Sequence, residues 1–405
     1  MQLPAKLTDI TQQDIGNLIR DRELEGPHLE FKRELPKAWN TEAKQEFVAD
    51  MSAFANAGGG DVIYGLSEDA EGQASEIIPL TESDIDATIR RLQSILADSV
   101  EPRMHGTQVV PVRVVVGNVD GYVIVVRIPQ SWVGPHRVKT NRDFFVREGA
   151  RKRPLDVAEI RSLFLRTENQ AQRAWNFRTE RVGKIFVGET PQSLIVGPSL
   201  VVHLIPTQAV LGQVEVDVSQ YSAAPIRVPL LGPSESCAMH LNFDGALCVR
   251  VHRQEQEKGV WGYTQFFRNA FIESVYVLKP VEWRKQEGLP GPSVLPSAEF
   301  ERWLIKLVKD AQAEYGNLGI IAEMSVMLSL VRAKNLLFGV DSAQALLGND
   351  EGIFDRDTLI YPDVLVEVGA EPAKALKPLF DMVWQSVGIP WSPHYDQTTG
   401  ARNPR

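Results

Sequence analysis

Three consecutive glycines, Gly58–Gly60, most constrain how this chain can fold. Residues 42–57, which precede them, carry apolar side chains at helical spacing after a capping residue, Thr41. Residues 61–66, which follow, form an apolar run of the buried-strand type. Because glycine permits positive φ, a helix can pass directly into a strand here. The order is the reverse of a P-loop or Rossmann turn, so neither ATP binding of that kind nor ATP hydrolysis is expected.

Apolar periodicity along the rest of the chain predicts a mixture of helices and strands, the α+β class. Asp156 and Glu159 have the spacing of a capping box, and the helix they begin is expected to reach about residue 182. A chain of 405 residues is long for one domain. We therefore expect a first domain over residues 1–180, including this connecting helix, and an α+β domain of unknown role over 181–405.

Strand-like runs are distributed over both halves of the chain. Two Val-rich runs joined by a short polar turn predict a hairpin in the first half. The predicted strands lie at residues 28–33, 61–66, 109–116, 122–128, 144–147, 185–188, 194–205, 238–251, 262–278 and 359–368.

Charge is unevenly distributed along the chain. The formal net charge is −9, which argues against nucleic-acid binding over the whole surface because the global field would repel phosphate. Residues 101–180 nevertheless hold 14 basic and 8 acidic side chains. Their densest part predicts a local phosphate-binding patch, and the alternative is an ordinary solvated surface of mixed charge. The candidate nucleic-acid contacts are His136, Arg137, Lys139, Arg142, Arg147, Arg151, Lys152 and Arg153.

A second candidate site lies in the segment EGPHLEFKREL. If residues 28–33 form a strand, Glu30 and Lys32 point to one face and Leu29 and Phe31 to the other. Carboxylate oxygens suit Mg²⁺ or Mn²⁺, and a lysine stabilises the charge that develops on a scissile phosphodiester. The alternative is a solvent-exposed strand face with a Glu–Lys pair.

Three motifs in order resemble one known family. They are ExxxxEFK, then AFAN-x-GG with a strand that ends in glycine, then FFVREG with a short helix, and they span about residues 20–166. In this order they are similar to the Schlafen AlbA-like domain of bacteria, which is often named a putative DNA-binding domain. The resemblance implies a mixed α/β domain with small β-sheets packed on helices. It also implies nucleic-acid binding, because eukaryotic Schlafen members include endoribonucleases that cut tRNA and rRNA.

The resemblance further implies a catalytic site of three carboxylates. Glu25 and Glu30 match two of them and would hold Mg²⁺ or Mn²⁺, with Lys32 beside them. The third position is occupied by Ser67, so the missing ligand would come from Glu68, from Asp69 or from water. The carboxylate set is therefore incomplete at the position that the family uses.

Three functions follow from these observations. The leading hypothesis is a bacterial, cytoplasmic nucleic-acid-binding protein that acts in regulation or defence through its basic patch. The second is a metal-dependent endoribonuclease that uses Glu25, Glu30 and Lys32. The third is an assembly or sensor subunit, in which residues 181–405 bind a protein partner or a second copy of the chain.

Two classes of protein are not expected from the sequence. No apolar run approaches the length of a membrane span, and the start of the chain lacks the regions of a signal peptide, so no membrane partner is expected. The two cysteines, Cys237 and Cys248, have no CxxC spacing, which argues against a disulfide scaffold and a thiolate zinc site.

Overall fold

A computed structural model describes most of the chain as two compact units, Met1–Ala171 and Gln172–Arg405. The described residues are 3–4, 7–104, 106–131, 133–210, 212, 214–222, 228–233, 237–250, 259–280, 293–320, 322–339 and 352–403.

The first unit is built around a four-stranded sheet with the strand order β1-β2-β7-β6. Strands β1 and β2 are parallel, and the other two neighbouring pairs are antiparallel. Three two-stranded sheets, β3 with β4, β5 with β8, and β9 with β10, complete the unit. The strands are β1 (Leu29–Lys32), β2 (Gly59–Tyr64), β3 (Leu66–Glu68), β4 (Ala74–Ile77), β5 (Val100–Glu101), β6 (Gln108–Val116), β7 (Val119–Pro129), β8 (Arg137–Val138), β9 (Phe145–Glu148) and β10 (Arg151–Pro154).

Helices cover both faces of this sheet. They are α1 (Gln12–Arg20), α2 (Thr41–Asn56) and α3 (Ile85–Ser99). Alternate residues of β7 point to opposite faces, so Ile124 and Val126 pack with α2 and α3, whereas Val123 and Val125 pack with α1. This arrangement confirms the predicted α+β class, with small sheets packed on helices.

The glycine turn is shaped by the backbone rather than by a ligand. Gly59 has a φ of 72°, and a Cβ atom there would lie 2.7 Å from the carbonyl oxygen of Ile128. A Cβ atom on Gly60 would lie 2.6 Å from the carbonyl oxygen of His28. Helix α2 begins one residue earlier than expected, because the Asn40 side chain rather than Thr41 accepts the backbone N–H of Ala43 at 2.8 Å.

Helix α4 (Val157–Val187) begins at the predicted capping box and ends later than expected. The backbone N–H of Asp156 donates to Glu159 and the N–H of Glu159 donates to Asp156, at 3.0 and 2.8 Å. The predicted strand over 185–188 is wrong, because residues 185–187 continue this helix. The division between the two compact units falls within α4, after residue 171. The domains predicted over residues 1–180 and 181–405 stay a prediction.

The second unit contains a large antiparallel sheet with the order β12-β13-β14-β15-β11-β17-β20, and β21 also pairs with β17. A smaller sheet joins β16, β18 and β19. The strands are β11 (Ser199–Pro206), β12 (Cys237–Leu241), β13 (Gly245–Arg250), β14 (Gly262–Phe267), β15 (Ile272–Val277), β16 (Val294–Pro296), β17 (Met324–Val331), β18 (Leu337–Gly339), β19 (Gly352–Ile353), β20 (Thr358–Ile360) and β21 (Val364–Val366).

One face of the large sheet packs against the helices that follow it, and the other packs against the C-terminal part of α4. The helices are α5 (Thr207–Val210), α6 (Ser297–Asn317), α7 (Pro372–Ala375) and α8 (Lys377–Gln385). Leu200, Val202 and Leu204 of β11 join the core with α6 and α8, whereas Val201 joins Val182 of α4. Among the described residues, no helix combines the length and the apolar character needed to cross a membrane.

Candidate nucleic-acid interface

A row of alternating charges lies in the interior of the first unit. The Glu30 carboxylate accepts a hydrogen bond from Arg147 Nη1, and its Oε1 lies 2.5 Å from Lys32 Nζ. Lys32 Nζ also lies 3.4 Å from Asp50 Oδ2, and Lys152 Nζ lies 2.6 Å from Asp50 Oδ1. The Arg147 and Glu30 side chains are only 2% and 8% exposed. As predicted, Glu30 and Lys32 lie on one face of β1, where Glu30 is buried and Lys32 is partly exposed.

This row, which we call the charge ladder (Arg147, Glu30, Lys32, Asp50 and Lys152), joins β1, α2, β9 and β10. Burial disfavours the charged form of Lys32, but the carboxylates of Asp50 and Glu30 hold its pKa above the ordinary value. Burial raises the pKa of Asp50, and the charge of Glu30 adds to that effect. Because each buried charge has an opposite neighbour, removal of one member leaves another uncompensated.

The AFAN motif fixes the strand that carries Arg147. The Arg147 guanidinium lies 4.4 Å from the centre of the Phe54 ring. The Asn56 side chain donates to the carbonyl oxygens of His136 and Phe145 at 2.9 and 2.8 Å, and it accepts the His136 N–H at 2.7 Å. The motif therefore positions residues 136–153, which we call the basic segment.

Glu25 and Glu68 form an acidic pair at the edge of the same region. Glu25 Oε1 accepts the Phe31 N–H at 2.6 Å, and its carboxyl group interacts with that of Glu68. Burial, together with the nearby charges of Glu68 and Glu30, raises the pKa of Glu25 to about 7. Of the three sources left open for a third ligand, the structure therefore brings Glu68 beside Glu25. Asp69 instead accepts backbone N–H groups of its own turn.

This set of residues does not, as arranged, fit a divalent cation. Both oxygens of Glu30 already bind cations, Arg147 and Lys32. Ser67 Oγ lies 3.0 Å from Ser75 Oγ and donates to the Glu76 carbonyl oxygen, so it is engaged within β3 and β4. Within the described ranges, no group of three His, Cys, Asp or Glu side chains converges to hold a metal. The Mg²⁺ or Mn²⁺ site at Glu25 and Glu30 stays a prediction.

Five members of the basic segment have structural partners in the first unit. The His136 side chain is buried, with Nδ1 2.7 Å from the Pro102 carbonyl oxygen. The others bind carboxylates: Arg137 binds Glu101, Arg147 binds Glu30, Lys152 binds Asp50 and Glu46, and Arg153 binds Glu148 and Glu159. Because His136 and Arg147 lie in the interior, a phosphate at the surface of the unit does not reach either side chain.

Three cations of the segment remain exposed: Lys139, Arg142 and Arg151. We call them the open cations. None of them pairs with a carboxylate among the described residues; Lys139 Nζ donates only to the Asp98 carbonyl oxygen, at 2.9 Å. Arg142 has a φ of 68°, in the left-handed region that few residues other than glycine adopt. Such a conformation at an exposed arginine is more typical of a functional loop than of a solvated surface.

A comparison with protein families identifies the domain. The family model described as Schlafen, AlbA_2 matches residues 25–156. Residues 25–156 are a Schlafen AlbA_2 domain. The resemblance seen in the sequence motifs is therefore confirmed over this range. No curated protein matches the sequence.

Solved structures resemble only parts of this chain. The DIP2311 protein from Corynebacterium diphtheriae is 21% identical with a TM-score of 0.25, and the match covers 36% of this chain and 26% of that one. The chain thus spans about a quarter of DIP2311. The N-terminal domain of a putative ATP-dependent DNA helicase RecG-related protein from Nitrosomonas europaea is 17% identical with a TM-score of 0.22, and the match covers 30% and 74% of the two chains. At these TM-scores, neither structure informs the function.

Sequence reasoning missed one acidic residue and one amide of the AlbA_2 domain, and it did not single out a third residue, Glu68. Asp50 lies on α2, which also carries Glu42 and Glu46, and the helical pattern does not show which of these carboxylates forms a buried ion pair. Asn56 stands inside the quoted AFAN motif, but its role depends on segments 80 and 89 residues away. Glu68 is one of three alternatives for the third metal ligand. Side chains alternate along β3, so the Glu68 side chain points away from the partners of Ser67.

Proposed function

We propose that the AlbA_2 domain binds the phosphate backbone of nucleic acid through the open cations. The observation that carries this proposal is the division of the basic segment into cations that bind carboxylates and three exposed ones that do not. An exposed cation that forms no ion pair keeps its charge available to the surface potential, whereas a paired one contributes little.

The acidic remainder of the chain does not prevent such binding. Charges farther away than the Debye length of about 8 Å at physiological salt are largely screened. Three phosphate contacts supply binding that is sensitive to salt and largely independent of sequence. The proposed activity is therefore backbone recognition, and a role in regulation or defence is a further expectation from the resemblance alone.

The geometry favours binding over metal-dependent cleavage. Glu30, which the nuclease hypothesis assigns as a metal ligand, is needed to compensate the buried Arg147. Among the described residues, the acidic pair of Glu25 and Glu68 is the feature that favours cleavage, and two carboxylates bind a cation less tightly than three. An assay with tRNA and Mn²⁺ should therefore show binding without new cleavage products.

A mobility-shift series with tRNA, single-stranded DNA and duplex DNA tests the proposal. The variant Lys139→Gln/Arg142→Gln/Arg151→Gln removes the open cations and should weaken binding to every ligand by a similar factor. The control Lys44→Gln/Arg90→Gln/Arg161→Gln removes three other exposed cations, which have no ion pair among the described residues. Both triple variants lose the same charge, so equal losses of affinity would reject the assignment. A wild-type protein that binds none of the ligands at low salt would reject nucleic-acid binding itself.

A further inference from the structure

A cavity of about 330 Å³ opens in the AlbA_2 domain away from the charge ladder. It lies among the loop after β1, the segment before α3 and the first turns of α3. The lining residues that matter here are Arg33, Lys37, Trp39, Glu82 and Arg91. Its volume is at the small end of the range for ligand pockets, roughly 300–1,000 Å³. A cavity of this size suits one nucleotide rather than a duplex.

The loop side of the cavity is fixed by buried and capping side chains. Leu35 is buried in the core, and the Asn40 side chain caps α2 at the end of the loop. The Trp39 ring contacts Phe47 edge-on, with ring centres 5.4 Å apart. The indole is therefore held in place while part of it faces the cavity.

The opposite side is equally well ordered. The backbone of Leu80 exchanges two hydrogen bonds with Tyr122, at 2.8 and 3.0 Å. Thr88 Oγ1 donates to Glu82 Oε2 at 3.2 Å, which joins α3 to the segment before it. A pocket whose walls are already fixed loses little conformational freedom when a ligand binds.

The charges of the cavity are not compensated as those of the charge ladder are. Arg33, Lys37 and Arg91 are exposed, and none is paired with a carboxylate among the described residues. The lining also contains two carboxylates, Glu34 and Glu82, so the cations exceed the anions by one. Three cations that share a cavity and form no ion pair within the described ranges are suited to an anionic ligand.

We propose that this cavity binds a single unpaired nucleotide. The phosphate binds Arg33, Lys37 and Arg91, because guanidinium and ammonium groups donate to phosphate oxygens. The base contacts Trp39, since aromatic side chains take stacked bases of any sequence. Glu82 accepts a hydrogen bond from an amino group on the edge of the base. The nucleotide is either free or part of a strand, and in the second case the inference rests on the proposed function.

Calorimetric titration of the full chain separates these sources. The ligands are the free nucleoside monophosphates, a short unstructured DNA strand, and the same sequence as a blunt duplex. Arg33→Gln and Arg91→Gln each remove one charged contact at an exposed position and should weaken binding of the monophosphate by about tenfold. Trp39→Leu should weaken monophosphate binding by about tenfold as well.

Trp39 packs on Phe47, so Trp39→Leu can unfold the domain. In that case the two arginine variants test the proposal. Arg90→Gln, next to Arg91 but outside the cavity, is the matched control and should bind as the wild type does.

The titration distinguishes the cavity proposal from the proposed binding of nucleic acid by the open cations. A loss of affinity for both monophosphate and strand in Arg33→Gln and Arg91→Gln, with strand preferred over duplex, supports a nucleotide within a strand. Binding of monophosphate alone, lost in the same variants, supports a free-nucleotide site and rejects the proposed function. Wild-type affinity of both variants for a strand that the protein does bind overturns the cavity proposal and leaves the proposed function intact. If the wild-type protein binds neither ligand, both proposals are wrong.

Discussion

Arg147→Met should destabilise the first unit more than any substitution of the open cations. The Arg147 side chain is 2% exposed, and it donates to the Gly26 carbonyl oxygen at 3.0 Å as well as to Glu30. Methionine fills a similar volume but leaves the buried Glu30 carboxylate with Lys32 as its remaining ion-pair partner among the described residues. Removal of one partner of a buried ion pair costs about 3–5 kcal/mol. For a unit of this size, each kcal/mol lowers the unfolding temperature by about 2–4 °C, so the expected fall is at least about 6 °C.

Differential scanning calorimetry of the full chain at neutral pH measures this fall in the transition of the first unit. Arg151→Met is the matched control, because Arg151 lies in the same hairpin but is exposed, and it should change stability by no more than about 0.5 kcal/mol. Arg147→Met/Glu30→Gln should cost less than the sum of the two single variants. The usual cost of losing such a partner is well above about 1 kcal/mol. If the free energy of unfolding of Arg147→Met lies within about 1 kcal/mol of the wild-type value, the assignment of Arg147 to the interior is refuted.

Two further predictions concern the other buried or partly buried carboxylates. The pKa of Glu25 is about 7 in the folded protein, above its value of about 4.5 in the unfolded chain. Between these two pH values the folded protein holds a proton that the unfolded chain has released. The free energy of unfolding therefore falls as pH rises from about 4.5 to about 7. Glu25→Gln should therefore raise the unfolding temperature at pH 8 by a few degrees, about 1–2 kcal/mol after allowance for solvent screening, and should have no effect near pH 4. The exposed Glu76→Gln should be neutral at both pH values, and a Glu25→Gln effect that does not vary with pH would contradict the reasoning. In the second unit, Glu273 is buried and accepts hydrogen bonds from Arg181, His203 and Tyr263 at 2.7, 3.0 and 2.8 Å. Glu273→Gln should cost about 3–5 kcal/mol by calorimetry because Arg181 loses its partner, and an unchanged unfolding temperature would show that this cluster is not stabilising.

The sequence predicted most of the elements of the first unit because their periodicity is local. The alternation of Leu29, Glu30, Phe31 and Lys32 placed Glu30 and Lys32 on one face of β1, and the capping box placed the start of α4. The length of α4 was not predictable in the same way. No helix-breaking residue marks the point where its side chains begin to pack in the second unit, so the boundary after residue 171 depends on tertiary contacts.

The candidate site was less predictable because charge in a sequence does not reveal its partner. Arg147 and Arg151 lie in one hairpin, and the same local composition surrounds both. The first is buried because Phe54 and Glu30 lie beside it, and both come from segments about a hundred residues earlier. The second lies opposite Glu148 in the hairpin, but that carboxylate binds Arg153, and Arg151 stays exposed. The fold decides which residues pair at this sequence distance. A count of basic residues in the sequence therefore overestimates the number of cations that are available to bind phosphate.

The central claim is that Lys139, Arg142 and Arg151, and not the paired cations, bind phosphate. The salt dependence of duplex-DNA affinity tests it most directly, because the slope of log affinity against log salt counts the phosphate contacts, at about 0.9 per contact. Removal of all three open cations by Lys139→Gln/Arg142→Gln/Arg151→Gln should reduce the magnitude of this slope by about 2–3. The control Lys44→Gln/Arg90→Gln/Arg161→Gln should leave it unchanged. A slope that is the same in the wild type and in the open-cation variant would contradict the account.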